Sequence, residues 1–367
     1  EFLKGGAVAD CCNKGLGYSA FLAVIYFIFG PSNLAAVKLL QNVLDLTTAV
    51  LIYLTAAKFF SRKAALISML FYLINPFTSA YTGILLSETL TLFYIVLIAF
   101  LVTRSSFRHN VTLWFLCGIV SGLLVFTRIT FIYFIFVFVI YLSSRLKSNL
   151  KLMMYFMLMF AFGFLVAVSY PIYANYAKFK AISITPPYNI YAGGLYLNFY
   201  NDRYAELFRD FDSVNPQFTQ IFQEYNDASL EEISQLRKKF QTLFWEKFKN
   251  EWPLFIRNIV RNIFWMWDKY ILYPYEDPFY PKDTFFLRWF NIGSIALYFM
   301  GVICYIKKSR KESFNNPLLV FTVLLFFYMT FTFTLVSNES RHSLPFYGLI
   351  YLWVGYGMES IKLSSKI

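Results

Sequence analysis

A chain of 367 residues in which 58% are hydrophobic and only 15% charged carries more apolar surface than a soluble domain of that length can bury. The net charge is +12, yet the lysines and arginines stand in short clusters at the ends of apolar runs, which is the placement of membrane anchors and not of a nucleic-acid surface. Composition excludes a soluble enzyme and points to an all-α multi-pass membrane protein.

In chain order, the sequence starts at Glu1 and shows no signal peptide before its first motif, so it reads as a fragment lacking its N-terminus. Asp10 and Lys14 lie in an early polar stretch, "GAVADCCNKGLGYS", whose paired Cys11 and Cys12 lack metal-ligand spacing. The apolar piece from Tyr18 to Gly30 is too short to cross a bilayer and ends at Gly30-Pro31, so it is predicted to lie at the interface or to re-enter. Runs long enough to span about 30 Å of hydrocarbon follow near 33–57, 64–83, 86–103, 111–127, 129–145, 152–174, 286–306, 317–337 and 343–360, about nine in all.

With that number of spans, the basic connections "KFFSRK", "RSSFRHN", "RLKSNLK" and "KKSRK" all fall on one side, which the positive-inside rule makes cytoplasmic. The long segment 175–283, with 13 basic against 14 acidic residues, then lies outside. It has no low complexity, and a helical stretch from about Leu230 to Trp267, charged early and aromatic late, is interrupted by Pro253. The predicted organisation is an external loop and interfacial helix (1–32), six spans (33–174), the external segment with its amphipathic helix (175–285), and three spans with a cytoplasmic tail (286–367).

Polar residues at membrane depth are expensive, so each invites a functional question. Glu88, in "LLSETL", is either a helix-start carboxylate capped by Ser87 or a general base, metal-site or orienting group facing an external cavity. Arg128, in an external turn, is either a snorkelling side chain or a bidentate phosphate ligand. Arg341 and His342, beside Glu339 in "SNESRHSLPFYG", favour an external phosphate clamp. Asp45, in mid-span after Gln41 and Asn42, is expected to hydrogen-bond to neighbouring helices.

The order of these elements resembles the polyprenyl-phosphate-dependent glycosyltransferases of the GT-C superfamily, in the branch of bacterial relatives of protein O-mannosyltransferases and the lipid A aminoarabinose transferase. The likeness rests on the Gly17-Tyr18 start, Phe29-Gly30-Pro31, "FFSRKAA", "NPF" at 75–77, "LLSETL" at 85–90, "GGLYLNFYND" at 193–202 and "RHSLPFYG". It implies inverting transfer of a sugar from a polyprenyl-phosphate carrier to a lipid, glycan or protein acceptor at the outer face, often with a divalent metal. It also implies a catalytic aspartate in the first external loop, upstream of "EFLKGG", with Asp10 the aspartate left in that loop. Glu88 matches a second acidic position, Lys14 a phosphate-contacting lysine and Arg341 a late basic residue near the lipid phosphate. The missing glutamate and prolines around Lys14 count against a metal role for that loop. The expected location is a bacterial plasma membrane with the site facing the periplasm or outside, the lumen of an endoplasmic reticulum being the alternative. Two other classes compete: a transporter or flippase for a lipid-linked or anionic solute, disfavoured by the lack of repeated halves, and a non-catalytic assembly subunit.

Overall fold

The structure, a computed structural model, describes residues 16–105, 110–146, 149–180, 182–184, 195–196, 198–199, 230–269, 272, 284–309, 315–336 and 340–364. Asp10, Lys14 and Glu339 lie outside the described residues. Those described are helical throughout, with no strand among them. The helices are α1 (Gly17–Phe29), α2 (Leu34–Phe59), α3 (Arg62–Leu73), α4 (Pro76–Thr82), α5 (Glu88–Ser105), α6 (Val111–Thr127), α7 (Phe134–Arg145), α8 (Leu150–Phe179), α9 (Leu230–Trp267), α10 (Thr284–Ser309), α11 (Pro317–Val336) and α12 (Tyr347–Ser364). Short 3-10 turns, Ile129–Tyr133 and Ser340–Phe346, lead into α7 and α12.

The chain is an integral membrane protein, but the count of about nine spans is not matched by its described helices. Four are long and apolar enough to cross a bilayer, namely Leu34–Phe59, Leu150–Ala177, Phe285–Ser309 and Pro317–Leu335. The run expected as one span at 64–83 is two helices, α3 and α4, bent by 55°, and counts as a fifth candidate only if the pair is taken together. The bend has a local cause. Pro76 has no N–H to continue α3 and disfavours helical backbone at Asn75, whose side-chain oxygen instead caps α4 by accepting from the Phe77 N–H at 3.0 Å. The run at 129–145 opens with a 3-10 turn and leaves only 12 residues of α-helix in α7. Helices α6 and α7 are apolar but short, and α5 and α12 carry charges at or near their ends, Glu88 and Arg104 on one and Glu359 on the other.

Large apolar side chains such as Leu39, Leu158 and Phe162 stay exposed, as lipid-facing residues do, and the core between helices is built from buried aromatics including Trp114, Phe138, Tyr72 and Trp353. Helices α6 and α8 cross on small residues. A β-carbon at Gly118 would lie 2.1 Å from the Phe160 carbonyl oxygen, and one at Gly163 would lie 2.2 Å from that of Phe115. Gly118 and Gly122 on one helix face Gly163 and Ala167 on the other, the close-approach pattern of membrane helix pairs, where packing rather than hydrophobic burial drives association.

The helical stretch expected over Leu230–Trp267 is present with those bounds. It kinks at Glu251, two residues before Pro253, and its second half docks through amides. Asn258 donates to the Asn198 carbonyl at 2.9 Å, Asn262 donates to the Asn198 side-chain oxygen at 2.8 Å, and Asn198 donates to the Leu335 carbonyl at the end of α11. The C-terminal end of α9 is pinned by three further bonds. Ser343 donates to the Met266 carbonyl, Asn291 of α10 to that of Trp267, and the Trp267 indole to Thr330 of α11.

Candidate functional site

The carboxylate of Glu88 stands in the first turn of α5 and is 2% exposed. Ahead of it, residues 83–87 leave no regular helix, and a buried amide holds them in place. Gln41 of α2 donates to the carbonyls of Thr82 and Ile84, both at 2.8 Å, and accepts from the Tyr18 hydroxyl of α1 at 2.8 Å. This links the short helix α1 to the loop that carries Glu88. Burial, and then the charge of Glu88, raise the Tyr18 phenol above its ordinary pKa.

Arg128 reaches Glu88 from the far end of α6. Extended backbone at Arg128 stops that helix (φ −141°, ψ 106°) and turns the side chain inward. Its Nη2 lies 2.5 Å from Glu88 Oε1, and its Nε donates to Ser87 Oγ at 3.1 Å. Arg341, second residue of the 3-10 turn before α12, brings Nε to 3.8 Å from the same carboxylate oxygen. The two arginine side chains are 14% and 12% exposed, so both pairs are shielded from bulk water.

A buried lysine, Lys269, lies within electrostatic reach of Glu88 and was not singled out from the sequence. It follows α9 by two residues, is 2% exposed, and sets its ammonium 5.4 Å from the centre of the Tyr347 ring. Burial pulls its pKa well below the usual lysine range, while the charge of Glu88 opposes that shift. Its sequence signal was faint: one lysine behind the aromatic run "FWMWDK". What places it is the pinning of the α9 end by α10, α11 and the 3-10 turn.

The structure thus gathers three of the sequence-derived candidates, Glu88, Arg128 and Arg341, from positions separated by up to about two-thirds of the chain. His342 is buried, and its ring stacks on Phe333 at 5.2 Å between centroids. Within the group, Glu88 Oε2 and Arg128 Nη1 are buried and make no hydrogen bond to the described residues. One buried carboxylate held by two arginines, with a buried lysine near by, is the electrostatic signature of an anion site, and the two guanidinium groups are aimed at a shared oxygen.

A divalent metal, implied by the resemblance, does not fit the described residues. Glu88 already gives one oxygen to Arg128, Arg341 stands 3.8 Å from the same oxygen, and no group of three His, Cys, Asp or Glu side chains occurs among the described residues. No step is therefore routed through a metal.

Residues 13–173, slightly under half of the chain, match the family model described as dolichyl-phosphate-mannose-protein mannosyltransferase. No curated protein matches the chain. Among solved structures, the chain is similar to the archaeal oligosaccharyltransferase AglB from Archaeoglobus fulgidus in complex with an inhibitory peptide and a dolichol-phosphate, with 12% identity and a TM-score of 0.56 over 97% of this chain and 44% of that one. It is similar to the apo form of the Archaeoglobus fulgidus oligosaccharyltransferase at 13% identity and a TM-score of 0.56, over 96% and 43%. A third match is that enzyme tethered to an acceptor peptide containing the NVT sequon, at 12% identity and a TM-score of 0.55, over 96% and 42%. At such identities the likeness shows the fold alone, and the chain spans less than half the length of these structures.

Proposed function

We propose, from the match of residues 13–173 to a mannosyltransferase family model and from the shared fold, that the chain is a GT-C glycosyltransferase that transfers a sugar from a polyprenyl-phosphate carrier to a lipid, glycan or protein acceptor at the outer face of a membrane, with inversion at the transferred carbon. The observation that carries this reading is the convergence of Arg128 and Arg341 on the buried carboxylate of Glu88, with the buried Lys269 within reach of its charge.

The chemistry follows from charge. When the sugar's anomeric carbon is displaced from the carrier, negative charge develops on the phosphate oxygens that leave. Cations fixed before the reaction stabilise that charge without reorganising. Arg128 offers a buried N–H at Nη1, and Arg341 and Lys269 supply positive charge from two other elements. Glu88 holds the arginines in register through Oε1 and so acts as the orienting carboxylate of the anion site. We assign the carboxylate that takes the acceptor's proton to the first external loop, where Asp10 stands, with Lys14 as a further phosphate contact. The finer topology belongs to the same proposal: α5, α6, α7 and α12 cross with the longer helices, giving about nine crossings, and the site faces the periplasm or exterior of a bacterial plasma membrane.

The test is transfer by the purified chain in proteoliposomes supplied with a polyprenyl-phosphate-linked sugar and candidate acceptors. Arg341→Ala is expected to lower transfer by about 10²–10³-fold, the range seen when one stabiliser of developing charge is removed, with the helical content unchanged. Unaltered transfer in a folded Arg341→Ala protein sinks the assignment. Movement of the lipid carrier across the bilayer without a glycosidic bond being formed replaces the transferase by a transporter.

A further inference from the structure

A small cavity lies beside Glu88, among α2, α4 and α5. Its lining includes Glu88 and Thr89 of α5, Thr78 and Tyr81 of α4, and Asp45 of α2. Two polar atoms on residues of that lining, Glu88 Oε2 and Thr89 Oγ1, are buried without a hydrogen-bond partner, although both residues are more than nine-tenths buried. Buried polar groups in native proteins are nearly always satisfied, by protein or by ordered water. The cavity has room for about one water, and three polar groups around it meet the usual requirement of two to four partners.

Asp45 supplies the third group. It sits near the middle of α2, a helix long and apolar enough to span, and its Oδ1 accepts a short hydrogen bond from the Tyr72 hydroxyl of α3. No ion pair joins Asp45 to any described residue. A lone ionised carboxylate at that depth costs several kcal/mol, whereas the neutral acid is cheap and has an O–H to donate. The charged and titratable groups around the two acids divide accordingly. Glu88 faces Arg128 from α6, Arg341 from the 3-10 turn, Lys269 after α9 and Tyr18 from α1. Asp45 faces Tyr72 of α3, which has Tyr351 of α12 behind it, and Tyr81 of α4 across the cavity.

We propose that this cavity is a water site through which protonated Asp45 hydrogen-bonds to Glu88, making Asp45 a positioning residue that holds the carboxylate from inside the membrane. The bonds form one directed chain. Tyr72 donates to Asp45 Oδ1, the Asp45 acid proton donates to the water, and the water donates to Glu88 Oε2 while accepting from the Thr89 hydroxyl. Oε1 is left to the arginines, so the two oxygens of Glu88 serve two different partners. The inference rests on the reading of Glu88 as the carboxylate that orients the cations.

Infrared difference spectroscopy of the purified full chain in lipid nanodiscs tests it, through the carbonyl stretch of a protonated carboxyl group. At neutral pH the wild type should show such a band, Asp45→Asn should abolish it, and Glu88→Gln and Thr89→Val should each shift it. A wild type without an Asp45 band overturns the proposal, as does a band that stays put in Thr89→Val. That variant carries the test if Glu88→Gln fails to fold. Because the readout involves no sugar transfer, a chain that shows the coupled band and yet transfers no sugar refutes the proposed function while leaving this inference standing.

Discussion

The crossing of α6 on α8 and the charge cluster at the head of α5 are both tightly packed, but by opposite means. At the crossing, glycines let backbones touch, and nothing polar is needed because neighbouring turns of two helices bring the contact with them. At the cluster, three side chains from three separate elements meet, each delivered by a helix end or turn and held by amides and ion pairs. The first contact follows from helix geometry alone, while the second exists only once the whole bundle has assembled. Stability in this protein is therefore local where it is apolar and global where it is charged.

Substitutions that strike each region separately sharpen the contrast. The largest effect is expected from Gly118→Leu, whose side chain has to enter space held by the Phe160 backbone. Folded, monodisperse protein in detergent should be lost, whereas a Leu substitution at Gly293, where an added β-carbon meets nothing within 4 Å, should leave yield and melting unchanged. Next comes Glu88→Gln, which leaves buried cations without their counter-charge. A loss of about 3–5 kcal/mol is expected on breaking a buried pair from one side, seen as a lower melting temperature, and a melt equal to wild type would show the cluster to be energetically slack.

Lys269 gives a smaller, pH-dependent signature. Its folded pKa is depressed, so between that value and the ordinary lysine range the unfolded chain binds the extra proton, and stability rises with pH across that window. The slope for one proton is at most about 1.4 kcal/mol per pH unit, and Lys269→Met should flatten it in melts recorded at increasing pH. The smallest effect is expected from Asn75→Ala, which removes the cap of α4 at a cost of about 1 kcal/mol; a change beyond about 2 kcal/mol would mean that the 55° bend itself depends on that side chain.

Membrane residence, a short helix at Gly17–Phe29 and the kinked Leu230–Trp267 stretch could be read from residue spacing because each is encoded by local periodicity and by one proline. The division of 64–83 was also written locally, in Asn75-Pro76, but an unbroken apolar run masks a break when hydropathy is averaged over it. Glu88 stood out because a carboxylate is costly at membrane depth, and Arg128 and Arg341 because they fall on the side away from the basic clusters. Their pairing was not legible, since no periodicity relates positions 88, 128 and 341. Lys269 was hidden for a different reason: a lone lysine after a helix is common, and only the three bonds that pin the end of α9 give it a special place.

The excess of positive charge in the cluster bears on turnover. Two arginines and one carboxylate leave a surplus of one, and Lys269 adds a second when it holds its proton. On the proposed chemistry the carrier enters as a phosphodiester with a single negative charge and departs as a phosphomonoester bearing about −1.5 to −2 at neutral pH. A pocket with this surplus grips the spent carrier more firmly than the fresh one. On that chemistry, discharge of the lipid phosphate is the step that this surplus of positive charge opposes.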